Sequence, residues 1–199
     1  MILSNNKAKP LAKFLLLSFL LISFAACTGN ESIIEGRVPG ASYDNEKVYL
    51  VPVKDVSSKT VDSTLIREGR FQFKLKLGKQ NRMFILRVKP VLRFNLQDIL
   101  VISEPGTVYV TMDKNSSSSG TPLNQTLQQW KEKKYASDST RYVLYRKYKE
   151  ETDESGKARL QSEIEEVNTD YRNYADSLAE RNKDNAVGQF IRSLNPPTP

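Results

Sequence analysis

Between residues 31 and 114, hydrophobic and polar positions alternate in short runs. In FQFKLKL, Phe71, Phe73, Leu75 and Leu77 fall on one side and Gln72, Lys74 and Lys76 on the other, the period of two expected of a half-buried antiparallel strand. The same texture predicts strands over residues 33–38, 47–53, 60–67, 70–77, 83–89, 98–103 and 107–112. Between them stand Pro39-Gly40, Glu68-Gly69 and Glu104-Pro105-Gly106, turn sequences in which proline presets φ and glycine accepts positive φ. Short strands with this punctuation predict an antiparallel β-sandwich over residues 33–114.

The pattern then changes. Residues 115–120, NSSSSG, hold no core-forming side chain and read as a polar linker over 115–121. Thr121-Pro122 has the order of an N-cap followed by proline at the first helical position. Beyond it, Leu160, Ile164, Val167, Tyr171, Tyr174 and Leu178 recur at alternating spacings of four and three, the narrow apolar seam of paired helices. Leu123, Leu127, Trp130, Leu144 and Tyr148 offer a matching seam, interrupted by Lys134, Ser137 and Arg141. The prediction is a helical hairpin within residues 122–195, with its turn near 152–156, a kink around 136–140 and a short third helix over 185–194. Tyrosines at this spacing read as a packing face. The prolines of residues 196–199 end the helical pattern, because proline has no amide hydrogen. The fold class is therefore α+β.

The first 26 residues have a texture of their own. Lys7, Lys9 and Lys13 precede an apolar run over residues 14–24, too short for the roughly 20 residues of a membrane span. The run ends in Phe24-Ala25-Ala26-Cys27, which resembles the lipobox of a bacterial lipoprotein signal. The resemblance implies a signal peptide over 1–26, cleavage between Ala26 and Cys27, lipidation of Cys27 and a tether over 27–32. Two or three acyl chains hold a protein to a membrane where one does so only marginally. Thr28-Gly29-Asn30-Glu31 is only weakly acidic, which favours the outer membrane on its periplasmic side as the address.

Residue content narrows the chemistry. The 199 residues contain no histidine and one cysteine, which removes His-based triads, His general bases, most zinc sites and any Cys-x-x-Cys redox pair. Ser103-Glu104, Asp62-Ser63 and Glu163, Glu165 and Glu166 are polar but unmarked by catalytic spacing. No enzyme, cofactor or metal is expected. Of the formal charge of +7, three units lie in the leader; residues 28–121 carry 14 Lys and Arg against 10 Asp and Glu, while residues 122–199 carry 13 of each. Between Arg70 and Arg93 every charged residue is a base, and Lys74, Lys76, Arg87 and Lys89 form a candidate anion-binding surface for acidic glycan or lipid. No nucleic-acid motif is present.

Finally, IIEGRVPG (33–40), KVYLVPV (47–53), VDST (61–64), EGRFQF (68–73), SEPGTVYVTM (103–112), SGTPLNQTLQQW (119–130) and NAVGQF (185–190) resemble, in order and spacing, a β-rich domain of unknown function found at the N terminus of many Bacteroidota envelope lipoproteins. In that family the domain commonly precedes a thioredoxin-like thiol-disulfide oxidoreductase domain, whose cysteines have no counterpart here, so no catalytic residue carries over. The resemblance implies a non-catalytic, lipid-anchored binding or docking module of the cell envelope. The alternative it implies is a fragment or partner subunit of a thioredoxin-like oxidoreductase.

Overall fold

The computed structural model describes residues 30–54 and 61–194; Ala26, Cys27, the leader and residues 195–199 lie outside them. Eight strands form two four-stranded sheets. The first sheet has the order β4-β1-β7-β8, with β1 at Glu31–Arg37, β4 at Arg70–Lys76, β7 at Gly106–Thr111 and β8 at Ser117–Ser119. The second has the order β3-β2-β5-β6, with β2 at Lys47–Pro52, β3 at Asp62–Leu65, β5 at Met83–Val88 and β6 at Ile99–Ile102. All pairings are antiparallel except β1 with β7, which is parallel.

Alternation decides what each face buries. Ile34, Phe71, Phe73, Val108 and Val110 point inward from the first sheet and meet Val48, Leu50, Phe84, Leu86, Val88 and Val101 from the second in one buried cluster. Phe71 packs across its cross-strand partner Gly36, where a Cβ atom would stand 1.9 Å from the ring. Glycine is required there because the ring occupies the space.

Helices follow: α1 at Pro122–Glu150, α2 at Glu154–Arg181 and α3 at Ala186–Leu194. They cover the outer face of the second sheet, where Met83 and Ile102 pack with Leu127, Trp130, Leu178, Val187 and Ile191. Trp130 meets Phe190 edge to face at 5.6 Å. The predicted hairpin and third helix are present, and α1 runs through residues 136–140 as one continuous helix, without the expected kink. Its polar middle is accommodated by local pairing. Asp138 binds Lys134 and Arg141, and Arg141 also donates to Asn168 across the hairpin at 3.2 Å. This polar waist separates the basal cluster from a second one near the turn, formed by Leu144, Leu160 and Ile164 with Tyr148 and Val167. No helix among the described residues is long and apolar enough to cross a membrane.

One further expectation needs correction. Residues 117–119, expected to lie in a linker, form β8, and Ser116 and Ser118 are buried. Hydroxyls take the place of a hydrophobic signal: Ser116 Oγ donates to the Gln97 carbonyl at 2.7 Å, and the Ser118 amide donates to Gln128 Oε1 at 3.1 Å. Thr121 occupies the N-cap position, yet its side chain makes no capping bond. Glu104, from the turn before β7, does so instead. Its Oε1 accepts from Thr121 Oγ1, from the Asn124 amide at 3.0 Å and from Asn124 Nδ2 at 3.1 Å. A carboxylate beside the first turn also suits the positive end of the helix dipole.

Asn124 completes the joint. It is fully buried, and its carboxamide pairs with both backbone groups of Ile102, accepting from the amide at 2.9 Å and donating to the carbonyl at 2.8 Å. Strand β6 is the edge of its sheet, so one side chain supplies what a fifth strand would.

Register also orients the molecule end to end. Ser32 lies beside Gly106, and Gly106 beside Thr121, so β1 and α1 begin at the same end of the sandwich. From there α1 climbs past Ser118 and Ser116 to the opposite end, where Lys131 Nζ binds the Ser116 carbonyl. The 19 residues from Lys131 to Glu150 rise about 28 Å further alongside α2.

Candidate anion-binding face

The four bases singled out in the sequence do not share a surface. Lys74 and Lys76 project outward from β4, in the first sheet, whereas Arg87 belongs to β5, in the second, and Lys89 follows it. The chain crosses the sandwich between β4 and β5, which puts these outward positions on opposite sides. Arg87 is moreover paired with Asp98 at 2.9 Å and Lys89 with Glu46 at 2.5 Å, so half of the expected stripe is neutralised.

Register assembles a different set. The turn at Glu68-Gly69 has both central residues at positive φ, +50° and +68°, the signature of a tight type I′ hairpin, and Asp44 fixes it by accepting both amides. That turn sets Arg67 directly opposite Arg70. Arg70 lies opposite Arg37, and Arg37 beside Thr111. One row across the sheet therefore reads Arg67, Arg70, Arg37, Thr111, Ser117, with the next row below it reading Gln72, Glu35, Tyr109, Ser119. Strands lie about 4.8 Å apart, so the three guanidinium stems span only ~10 Å. Apart from Ser117 and Ser119, these rows line a groove of about 760 Å³ together with Phe71 and Val110.

Electrostatics makes this face unlike the rest. Every ion pair among the described residues lies on the second sheet and the loop after it, or on the helices. Among the described residues none of the three arginines has a carboxylate within 4 Å; Arg37 Nε donates to Thr111 Oγ1 at 3.4 Å. Directly opposed like charges destabilise a strand pair, at roughly 0.7 kcal/mol per neighbouring pair in water. An anion in the groove removes that repulsion. Tyr109, 53 % exposed, lays an aromatic ring beside it.

These residues are too far apart in sequence to be seen as a group: Arg37, Arg67 and Tyr109 come from three different segments. The available signal was the EGR turn, which places Arg70 directly after a hairpin. Ser103 and Glu104 are both buried: Ser103 Oγ accepts from the Arg82 amide at 3.0 Å, and Glu104 caps α1. Among the described residues no group of His, Cys, Asp and Glu is placed to hold a metal ion.

Residues 32–127 match the model of a family described as a domain of unknown function, DUF4369. The match covers the sandwich, the Glu104–Asn124 joint and the start of α1, and so includes every residue of the arginine row. No curated protein and no solved structure matches the chain.

Proposed function

We propose that this protein is a lipid-anchored, non-catalytic binding module of the bacterial cell envelope, held through Cys27 at the outer membrane and facing the periplasm. The observation that carries the reading is directional. The described chain begins at Asn30 and Glu31, at the end of β1 remote from Arg37, so a tether at Cys27 leaves the arginine row and the hairpin tip pointing away from the bilayer. The anchor fixes one end, and the outer face of the first sheet holds an anionic partner at the other.

Two measurements test it. Labelled palmitate enters the wild-type chain and is lost in Cys27→Ser; continued labelling of that variant overturns the anchor. A photo-crosslinking residue at Gln72, in the groove, captures an envelope component that one at Ile85, on the other sheet, does not. Equal capture overturns the face as a binding surface. Capture of a protein with a Cys-x-x-Cys pair, abolished by Arg70→Gln, identifies the anionic partner as a thioredoxin-like oxidoreductase.

A further inference from the structure

We propose that the groove is a subsite for a carboxylate-bearing sugar, such as a uronic acid unit of an acidic polysaccharide; the inference rests on reading this face as a binding surface and specifies its ligand. Three features of the two rows support that class. Arg37, Arg67 and Arg70 present planar forks that pair with no carboxylate among the described residues, and such forks take a carboxylate bidentately. One row away, Tyr109 offers a half-exposed ring on which the apolar face of a pyranose can lie. Next to that ring in register Glu35 supplies an acceptor, and Gln72 beyond it both a donor and an acceptor, for sugar hydroxyls.

Glu35 also discriminates. It sits between Gln72 and Tyr109 in register, where it can accept from a hydroxyl but repels a second anionic charge. A ligand with one carboxylate and several hydroxyls per unit fits this pattern better than a phosphate cluster. The apolar residues that line the groove, Phe71 and Val110, are buried, so it lacks the protruding apolar side chains that a lipid surface needs.

The experiment is titration calorimetry of the full chain in detergent micelles with a tetramer of galacturonic acid. The neutral galactose tetramer, inorganic phosphate and phosphatidylglycerol vesicles are run in parallel. The acidic tetramer binds, and the neutral one binds at least tenfold more weakly. Arg37→Gln and Arg70→Gln each weaken binding by about tenfold to a hundredfold, as expected for loss of charge-assisted hydrogen bonds. Tyr109→Ala weakens it by about tenfold, and Lys74→Gln, on the same face beyond the groove, changes it less than twofold. Equal binding of phosphate or the vesicles, or an unchanged affinity in Tyr109→Ala, overturns the sugar assignment. If the acidic tetramer fails to bind while Gln72 still captures an envelope component, only the ligand class is wrong; failure of both removes the binding face itself.

Discussion

Replacing Asn124 by alanine tests the joint between the sandwich and the hairpin. The side chain is fully buried and makes two hydrogen bonds to Ile102, at 2.9 and 2.8 Å, and one to Glu104, at 3.1 Å. Alanine leaves the amide and carbonyl of Ile102 without partners on the edge of β6, because the next amide, Ser103, already points the other way, to the Arg82 carbonyl. A buried backbone group left unpaired costs roughly 1–3 kcal/mol. The two together predict a loss of about 3 kcal/mol, a fall in melting temperature of roughly 6–12 °C for a protein of this size. Urea unfolding followed by tryptophan fluorescence reports on the joint directly, since Trp130 lies in the adjoining cluster. Asn124→Asp restores the acceptor for Ile102 but sets a carboxylate beside Glu104, so it recovers little. A loss below about 1 kcal/mol in Asn124→Ala would refute the view that this side chain substitutes for a neighbouring strand.

Four further outcomes follow from the packing and the titratable groups. Gly36→Ala forces a methyl group into the Phe71 ring, and thermal unfolding registers a loss of about 1–3 kcal/mol or more, part of which Phe71→Leu restores in the double variant. Burial pushes the hydroxyls of Tyr171 and Tyr174 above the ordinary 10.0, so above pH 10 the unfolded chain releases protons that the folded one keeps, and stability falls as pH rises; Tyr171→Phe flattens that fall in unfolding curves taken between pH 9 and 11. Burial holds the Lys131 amine below the ordinary 10.5, so raising the pH towards 10.5 adds stability, and Lys131→Met makes the alkaline loss steeper. The polar waist at Lys134, Asp138, Arg141 and Asn168 splits the hairpin core in two, so amide exchange is faster at residues 142–166 than at 124–131 and 175–179, and equal protection would contradict it.

Local pattern made most of the elements legible. Alternation located seven of the eight strands, because each carries its own inward residues, as in Phe71 and Phe73. The eighth was hidden because Ser116 and Ser118 are buried through hydroxyl and amide bonds to Gln97 and Gln128, a signal that depends on partners distant in the chain. The same limit governs the candidate site. Lys74, Lys76, Arg87 and Lys89 are neighbours along the chain but not in space, since β4 and β5 belong to different sheets. Arg37, Arg67 and Arg70 are brought together by the antiparallel β1–β4 pairing and a hairpin register that periodicity alone does not specify. The segments SEPGT and SGTPLNQT are likewise ordinary when read singly; in space they meet as Glu104, Thr121 and Asn124.

Under the proposed anchoring at Cys27, the length of β1 fixes how far the arginine row stands from the tethered end. Six residue steps from Glu31 to Arg37 correspond to about 20 Å of strand. At physiological salt the Debye length is about 8 Å, so a bilayer at the tethered end lies more than two screening lengths away. Anionic headgroups there neither occupy the guanidinium groups nor repel an acidic ligand approaching them. Under that anchoring the strand acts as an electrostatic spacer: the charge environment of the basic row is set by its own residues and not by the lipid composition beneath it.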